Sequence, residues 1–130
     1  MILFICIDEK DGMLFGGRRQ SKDRALRERM LQLASSSRLF VNFFSAKQFE
    51  EKGFVLSEDP LGEAKEGDFV FLEDLPLPEK NIEKIVLYQW NRRYPADRFF
   101  DRKLLHGRKK TKTTDFVGSS HEKITEEIWE

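Results

Sequence analysis

Three short stretches of this chain hold residue types that could do chemistry. The first is Gly16-Gly17-Arg18-Arg19-Gln20-Ser21-Lys22-Asp23. A glycine-rich turn entering a helix after an apolar strand presents unpaired N–H groups and the positive end of the helix dipole, which suits an anion. Arg18 and Arg19 add guanidinium forks able to grip a phosphate or carboxylate, and Gln20 and Ser21 stand beside them as further candidate ligand contacts. The glycine and lysine spacings of a P-loop or a dinucleotide fingerprint are absent. An ordinary capped helix preceded by solvated arginines would use the same residues.

The second stretch is Trp90-Asn91-Arg92-Arg93-Tyr94-Pro95-Ala96-Asp97. Aromatic and guanidinium groups interleaved at the end of a strand can stack on a base or another heteroaromatic ring, with Asn91 and Arg92 as the candidate contacts. An edge turn in which an arginine pairs with Asp97 reads equally well. The third is Gly118-Ser119-Ser120-His121-Glu122-Lys123, in which His121 is a candidate ligand contact. Serine beside histidine invites a hydrolase reading, but no G-x-S-x-G elbow is present and a triad needs partners that the fold brings together. A capped helix terminus or a turn accounts for these residues too. Arg108-Lys109-Lys110-Thr111-Lys112 could touch phosphates or form a solvated loop.

Composition narrows the classes. The 130 residues fit one domain, 39% are hydrophobic and 35% charged, and net charge is zero, so no general attraction to nucleic acid or anionic lipid is expected. Charge is nevertheless blocked. Residues 1–47 hold 9 Lys+Arg against 5 Asp+Glu, residues 48–83 hold 3 against 11, residues 84–113 hold 10 against 2, and residues 114–130 hold 1 against 5. Such blocks can pair across a folded surface, or the basic ones can converge on a ligand. A single cysteine, Cys6, excludes an internal disulfide framework and suits a reducing, cytoplasmic setting. Two histidines and one cysteine give no basis for a metal site. The apolar opening, Met1 to Ile7, is too short to span a bilayer, and no membrane association is expected.

The elements that must position these residues follow from hydrophobic patterning. Ile2 to Ile7 is a continuous apolar run, as in a strand covered on both faces. A helix is predicted from about Ser21, as N-cap, to Ala34, with Leu26, Met30 and Leu33 on one face. Leu39 to Phe44 reads as a strand, Ser45 to Glu51 as a short helix, and 57–67 as an exposed acidic connection. Phe69 to Leu72 and the stretch around Ile85-Val86-Leu87-Tyr88 are further strands, and Arg102 to Lys112 is a basic connection. The tail is open: Ser119-Ser120-His121-Glu122 has capping-box spacing, yet Ile124, Thr125, Ile128 and Trp129 suit a strand. Strands alternating with helical patterns indicate one α/β domain, a central mixed but mostly parallel sheet flanked by helices.

In this order the elements resemble a shortened dihydrofolate reductase over most of the chain. Met1 to Ile7 falls where that family has its first strand, and Gly12-Met13 resembles the Gly-Ile/Val opening its active-site loop. Gln20-Ser21-Lys22-Asp23-Arg24-Ala25-Leu26 is similar to the start of its first helix. Ile82-Glu83-Lys84-Ile85-Val86-Leu87-Tyr88 resembles its A-D-x-L-Y-L-T strand, and Pro95-Ala96-Asp97-Arg98-Phe99-Phe100 its x-x-D-x-F-F-P. The resemblance implies that Asp23 is the catalytic carboxylate that holds the pteridine ring and assists its protonation. It also implies that Phe116 to Trp129 form a C-terminal antiparallel hairpin.

Several family features are replaced. The Leu-Pro-Trp of the loop is absent. The Gly-Gly that admits the cofactor pyrophosphate reads Phe71-Leu72-Glu73-Asp74, and the Gly-Arg-x-Thr for the adenosine phosphate reads Asn42-Phe43-Phe44-Ser45. The threonine behind the carboxylate reads Tyr88. The expected function is therefore a reductase-like domain binding a small anionic or heteroaromatic molecule, nucleotide or pterin-like, without an NADPH site. An active NADPH-dependent reductase is the alternative, and an RNA-contacting module using residues 84–113 with Trp90 and Tyr94 is a third reading.

Overall fold

The computed structural model describes residues 1–130. Strand β1 (Ile2–Ile7) lies at the centre of a seven-stranded sheet, between β6 (Phe69–Leu72) and β7 (Lys84–Gln89), parallel to both. Outside β6 follow β4 (Leu39–Val41) and the edge strand β5 (Val55–Leu56), also parallel. On the other side β10 (Ile124–Trp129) runs antiparallel to β7 and pairs with β9 (Lys110–Phe116), completing the order β5-β4-β6-β1-β7-β10-β9. The sheet is mixed and mostly parallel, with the antiparallel hairpin at the C-terminus. A small antiparallel sheet, not anticipated from sequence, joins β3 (Arg18–Arg19), β2 (Gly12–Phe15) and β8 (Arg98–Phe99).

Alternation along β1 divides the core. Leu3, Ile5 and Ile7 face one side with Phe40, Val70, Leu72, Ile85 and Leu87. Phe4 faces the other with Val41, Phe71, Val86 and Tyr88, where helix α1 (Arg24–Leu33) lays Leu26 and Met30 against the sheet. Gly16 and Gly17, at φ 57° and 73°, form the turn between β2 and β3. Positive φ at both central residues is what a tight two-residue hairpin requires, and glycine meets it without strain.

Several boundaries differ from the sequence reading. The helix is capped by Asp23, whose carboxylate accepts from the Leu26 N–H at 3.2 Å, and not by Ser21. The strand at 39 ends at Val41 because Asn42 turns its side chain onto the Ser45 N–H at 2.9 Å and starts α2 (Phe43–Ala46). That helix begins and ends earlier than expected. The acidic connection contains a single turn, α3 (Pro60–Glu63), and the basic one contains a 3-10 turn (Arg102–Leu105) before β9 begins at Lys110. The tail is a strand.

The charge blocks pair across the surface. Arg19–Glu73, Arg27–Glu51 and Arg38–Asp68 join the first block to the second, and Lys84–Glu130 and Lys110–Glu127 join the third to the fourth. No helix is long and apolar enough to cross a membrane.

Candidate functional site

The carboxyl ends of β1, β6 and β7, the edge at which ligands of open α/β sheets bind, converge on a crevice. Cys6, Met13, Gln20, Ser21, Leu72 and Trp90 line it, with the Arg19–Glu73 pair on one wall. Its cavity volume is about 10 Å³, room for a water molecule at most. A larger cavity of about 660 Å³ opens at the opposite end of the strands, beside Met1, Leu61, Lys65 and Ile82. Its central charged groups satisfy one another, since the Met1 ammonium meets Glu83 at 2.7 Å and the Asn81 carbonyl at 3.0 Å.

Arg19 and Arg18 are neighbours in a strand and so point to opposite faces. Arg19 turns inward, donating to Glu73 at 3.1 and 3.2 Å and to the Phe44 carbonyl at 2.8 Å, with its guanidinium 4.5 Å from the Phe44 ring centroid. Gln48 Nε2 donates to the same carboxylate at 2.9 Å. Burial pushes the Glu73 carboxyl up, and Arg19 only partly offsets this. Arg18 is exposed and outside the crevice, with no side-chain partner.

Gln20 is held by its amide nitrogen, which donates to Asp8 Oδ2 at 3.1 Å and to the Pro95 carbonyl at 3.4 Å. Both partners are acceptors, so the amide cannot be turned round. Its Oε1 is then a buried acceptor with no partner. Gly12 makes room for this arrangement: a Cβ there would lie 2.6 Å from both Gln20 Nε2 and the Ala96 Cβ. Asp8, which sequence reading left in a polar turn, is buried and accepts from the N–H groups of Lys10, Gly12 and Tyr94 as well as from Gln20. Burial alone would raise its pKa, but these hydrogen bonds, Gly12 first, win and hold the carboxyl below the usual range.

Asp23 sits beside the crevice, 2% exposed, with its carboxylate saturated. It accepts from the N–H groups of Leu26, Ser119 and Ser120 at 3.2, 3.0 and 2.9 Å, from the two serine hydroxyls at 3.1 and 3.2 Å, and from His121 Nδ1 at 2.8 Å. Burial disfavours its charge, yet the His121 bond and then the Ser120, Ser119 and Leu26 N–H groups outweigh that and hold it well below the ordinary aspartate range. The loop can close this tightly because position 118 is glycine; a Cβ there would stand 2.5 Å from Asp23 Oδ2.

With Asp23 ionised, a neutral His121 keeps its proton on Nδ1 and its lone pair on Nε2. That nitrogen faces the Ser21 Oγ at 2.9 Å and the Tyr94 hydroxyl at 3.2 Å, and the ring stacks on Trp90 at 4.6 Å. The structure thus brings Arg19, Gln20 and Ser21 to the crevice, with Asp23 and His121 adjoining through Ser21. Asn91 turns away at φ 56° to donate to the Lys123 carbonyl and Thr125, and Arg92 is exposed without a side-chain partner; neither lines the crevice. Tyr88 donates to Glu126 at 2.8 Å rather than supporting Asp23.

The segments that would face a dinucleotide close on each other instead. Asn42 Nδ2 donates to Asp74 Oδ1 at 2.7 Å, Asn42 Oδ1 caps α2, and Glu73 carries Arg19 and Gln48. They offer carboxylates where phosphates need free donors, so the residues present do not fit NADP(H). No three His, Cys, Asp or Glu side chains gather where they could hold a metal ion.

No family model and no curated protein matches the chain. Among solved structures it is similar to dihydrofolate reductase from Enterococcus faecalis complexed with NADP(H) and RAB-propyl. The TM-score is 0.56 and the identity 11%, over 98% of this chain and 94% of that one. At that identity the likeness speaks for the backbone alone, and the conclusion is one of architecture: this chain has a dihydrofolate reductase-like fold.

Proposed function

We propose that the crevice binds a small, flat heteroaromatic molecule carrying N–H donors, and that the chain is a ligand-binding domain rather than a nicotinamide-dependent reductase. The observation that carries this reading is the buried Gln20 Oε1, an acceptor without a partner on the crevice wall. Leaving such a group unpaired costs about 1–3 kcal/mol, which a ligand N–H would recover. Leu72, Met13 and Trp90 offer apolar contact to a ring. A purely anionic ligand is less well served, because the one arginine that reaches the crevice is already neutralised by Glu73.

A ring cannot enter a volume of about 10 Å³, so binding has to move the lining, and Trp90 reports that movement. In Trp129→Phe protein, which leaves Trp90 as the sole tryptophan, pterin, guanine and 2,4-diaminopyrimidine are titrated while indole fluorescence and Tm are followed. A binding ring quenches Trp90 and, at a hundredfold excess over Kd, stabilises by about 2.7 kcal/mol. Gln20→Leu abolishes the response. If none of the three changes either signal, the reading is wrong.

A further inference from the structure

We propose that Ser21, His121 and Asp23 form a nucleophilic relay that acts on small carboxylic esters. The order of contacts is hydroxyl, imidazole, carboxylate: Ser21 Oγ to His121 Nε2 at 2.9 Å, and His121 Nδ1 to Asp23 Oδ2 at 2.8 Å. Residues about a hundred positions apart in the chain are brought together by the loop that Gly118 lets close on the start of α1. The inference does not rest on the heteroaromatic reading, since a crevice that takes no ring can still carry a reactive hydroxyl.

The surroundings of each member suit the chemistry. Asp23 is ionised and buried, so it acts as a positioning residue that keeps the proton on Nδ1 and stabilises the imidazolium formed during attack. His121 is buried, stacked on Trp90, and presents its Nε2 lone pair to Ser21. Ser21 is only half-buried and lines the crevice. The serines at 119 and 120 donate their hydroxyls to the carboxylate, which is what a purely structural tie looks like, whereas Ser21 addresses the basic nitrogen. No protein group accepts from the backbone N–H groups of Ser21 and Lys22, which makes them the candidate donors to an oxyanion.

The step balances without a redox partner. Ser21 Oγ bonds to the ester carbonyl carbon as its proton passes to His121 Nε2. The tetrahedral adduct collapses with cleavage of the carbon–oxygen bond to the alcohol, which leaves with that proton. Water then attacks the acyl-serine by the same route, and the products are a carboxylic acid and free Ser21. With about 10 Å³ beside Ser21, an ester has to displace the lining to reach the hydroxyl, and short acyl groups such as acetyl displace it least.

The test uses the full chain with a fluorophosphonate probe and with p-nitrophenyl acetate. The probe forms a phosphorus–oxygen bond to the serine and releases fluoride, and peptide mapping is expected to place one adduct per chain on Ser21. Ser21→Ala, which removes a single side-chain hydrogen bond and should fold, takes up no probe and loses acetate turnover. His121→Gln slows labelling by ~100-fold or more, the usual share of a general base. An unlabelled native protein overturns the proposal, as does an adduct on Ser119, Ser120 or Tyr94. Acetate hydrolysis in Ser21→Ala equal to that of the unaltered chain also overturns it, whatever the ring titrations show.

Discussion

Replacing Asp23 by alanine should cost far more than losing a surface acid. The Leu26 N–H loses its cap, worth about 1 kcal/mol. The N–H groups of Ser119 and Ser120 lose a charged acceptor at 3.0 and 2.9 Å, at roughly 1–1.5 kcal/mol each once non-additivity is allowed for. The expected loss is thus about 3.5 kcal/mol at pH 7, in the upper tail for point substitutions. With an unfolding entropy of about 2.1 cal/mol/K per residue, a chain of this length should lose about 13 °C in Tm. The pH dependence has a definite sign. The folded-state pKa lies below that of the unfolded chain, so the stabilisation tied to ionisation is complete above the unfolded value near pH 4. It disappears as pH falls through the folded value. Urea unfolding of both proteins at pH 7 and at steps below pH 4 measures this, the gap between them narrowing only on the acid side. A loss under 1 kcal/mol at pH 7, or a gap that widens with acid, would refute the account of Asp23 as the clamp between α1 and the C-terminal loop.

Gly12→Ala places a Cβ 2.6 Å from Ala96 and from Gln20 Nε2; about 1–3 kcal/mol of overpacking cost is expected in chemical denaturation. Arg29→Ala leaves Glu126, 1% exposed, with Tyr88 as its remaining hydrogen-bond partner, so urea unfolding should show a loss of about 3 kcal/mol, the low end for a broken buried pair because Arg29 is partly solvated. NADPH should leave Trp90 fluorescence and Tm unchanged, because Glu73 and Asp74 stand where donors are needed; quenching at micromolar NADPH would refute the misfit.

What could be read from sequence was what local pattern determines. The run Ile2 to Ile7 and the spacing of Leu26 and Met30 show directly because burial on both faces of a strand, or one face of a helix, leaves its own periodicity. Ile124 and Ile128 are four apart, which suits either periodicity, and only pairing with β7 on one side and β9 on the other decides for the strand. Ser21 looks like a cap as good as Asp23 until His121, from the far end of the chain, claims its hydroxyl. Arg18 and Arg19 read as a joint grip, yet recognising Gly16-Gly17 as a hairpin turn would have shown that only one can face inward. The contacts of Glu73 with Arg19, of Asp8 with Gln20 and of Tyr94 with His121 span 54, 12 and 27 positions, so local pattern could not assign these residues their places in the site.

Fold likeness and site chemistry part company at the ends of β4 and β6. The scaffold delivers side chains there whatever they are, and function follows from which ones arrive. Here they satisfy one another: Glu73 takes Arg19 and Gln48, and Asp74 takes Asn42. A buried carboxylate paired this fully resists exchange for a phosphate, since freeing Arg19 would strand Glu73 in an apolar wall at several kcal/mol. The other side of the same crevice holds an unpaired acceptor on Gln20, beside a Ser21 hydroxyl whose partner is His121 Nε2. A ligand therefore gains most by entering beside Gln20 and Ser21, away from the place a dinucleotide would occupy.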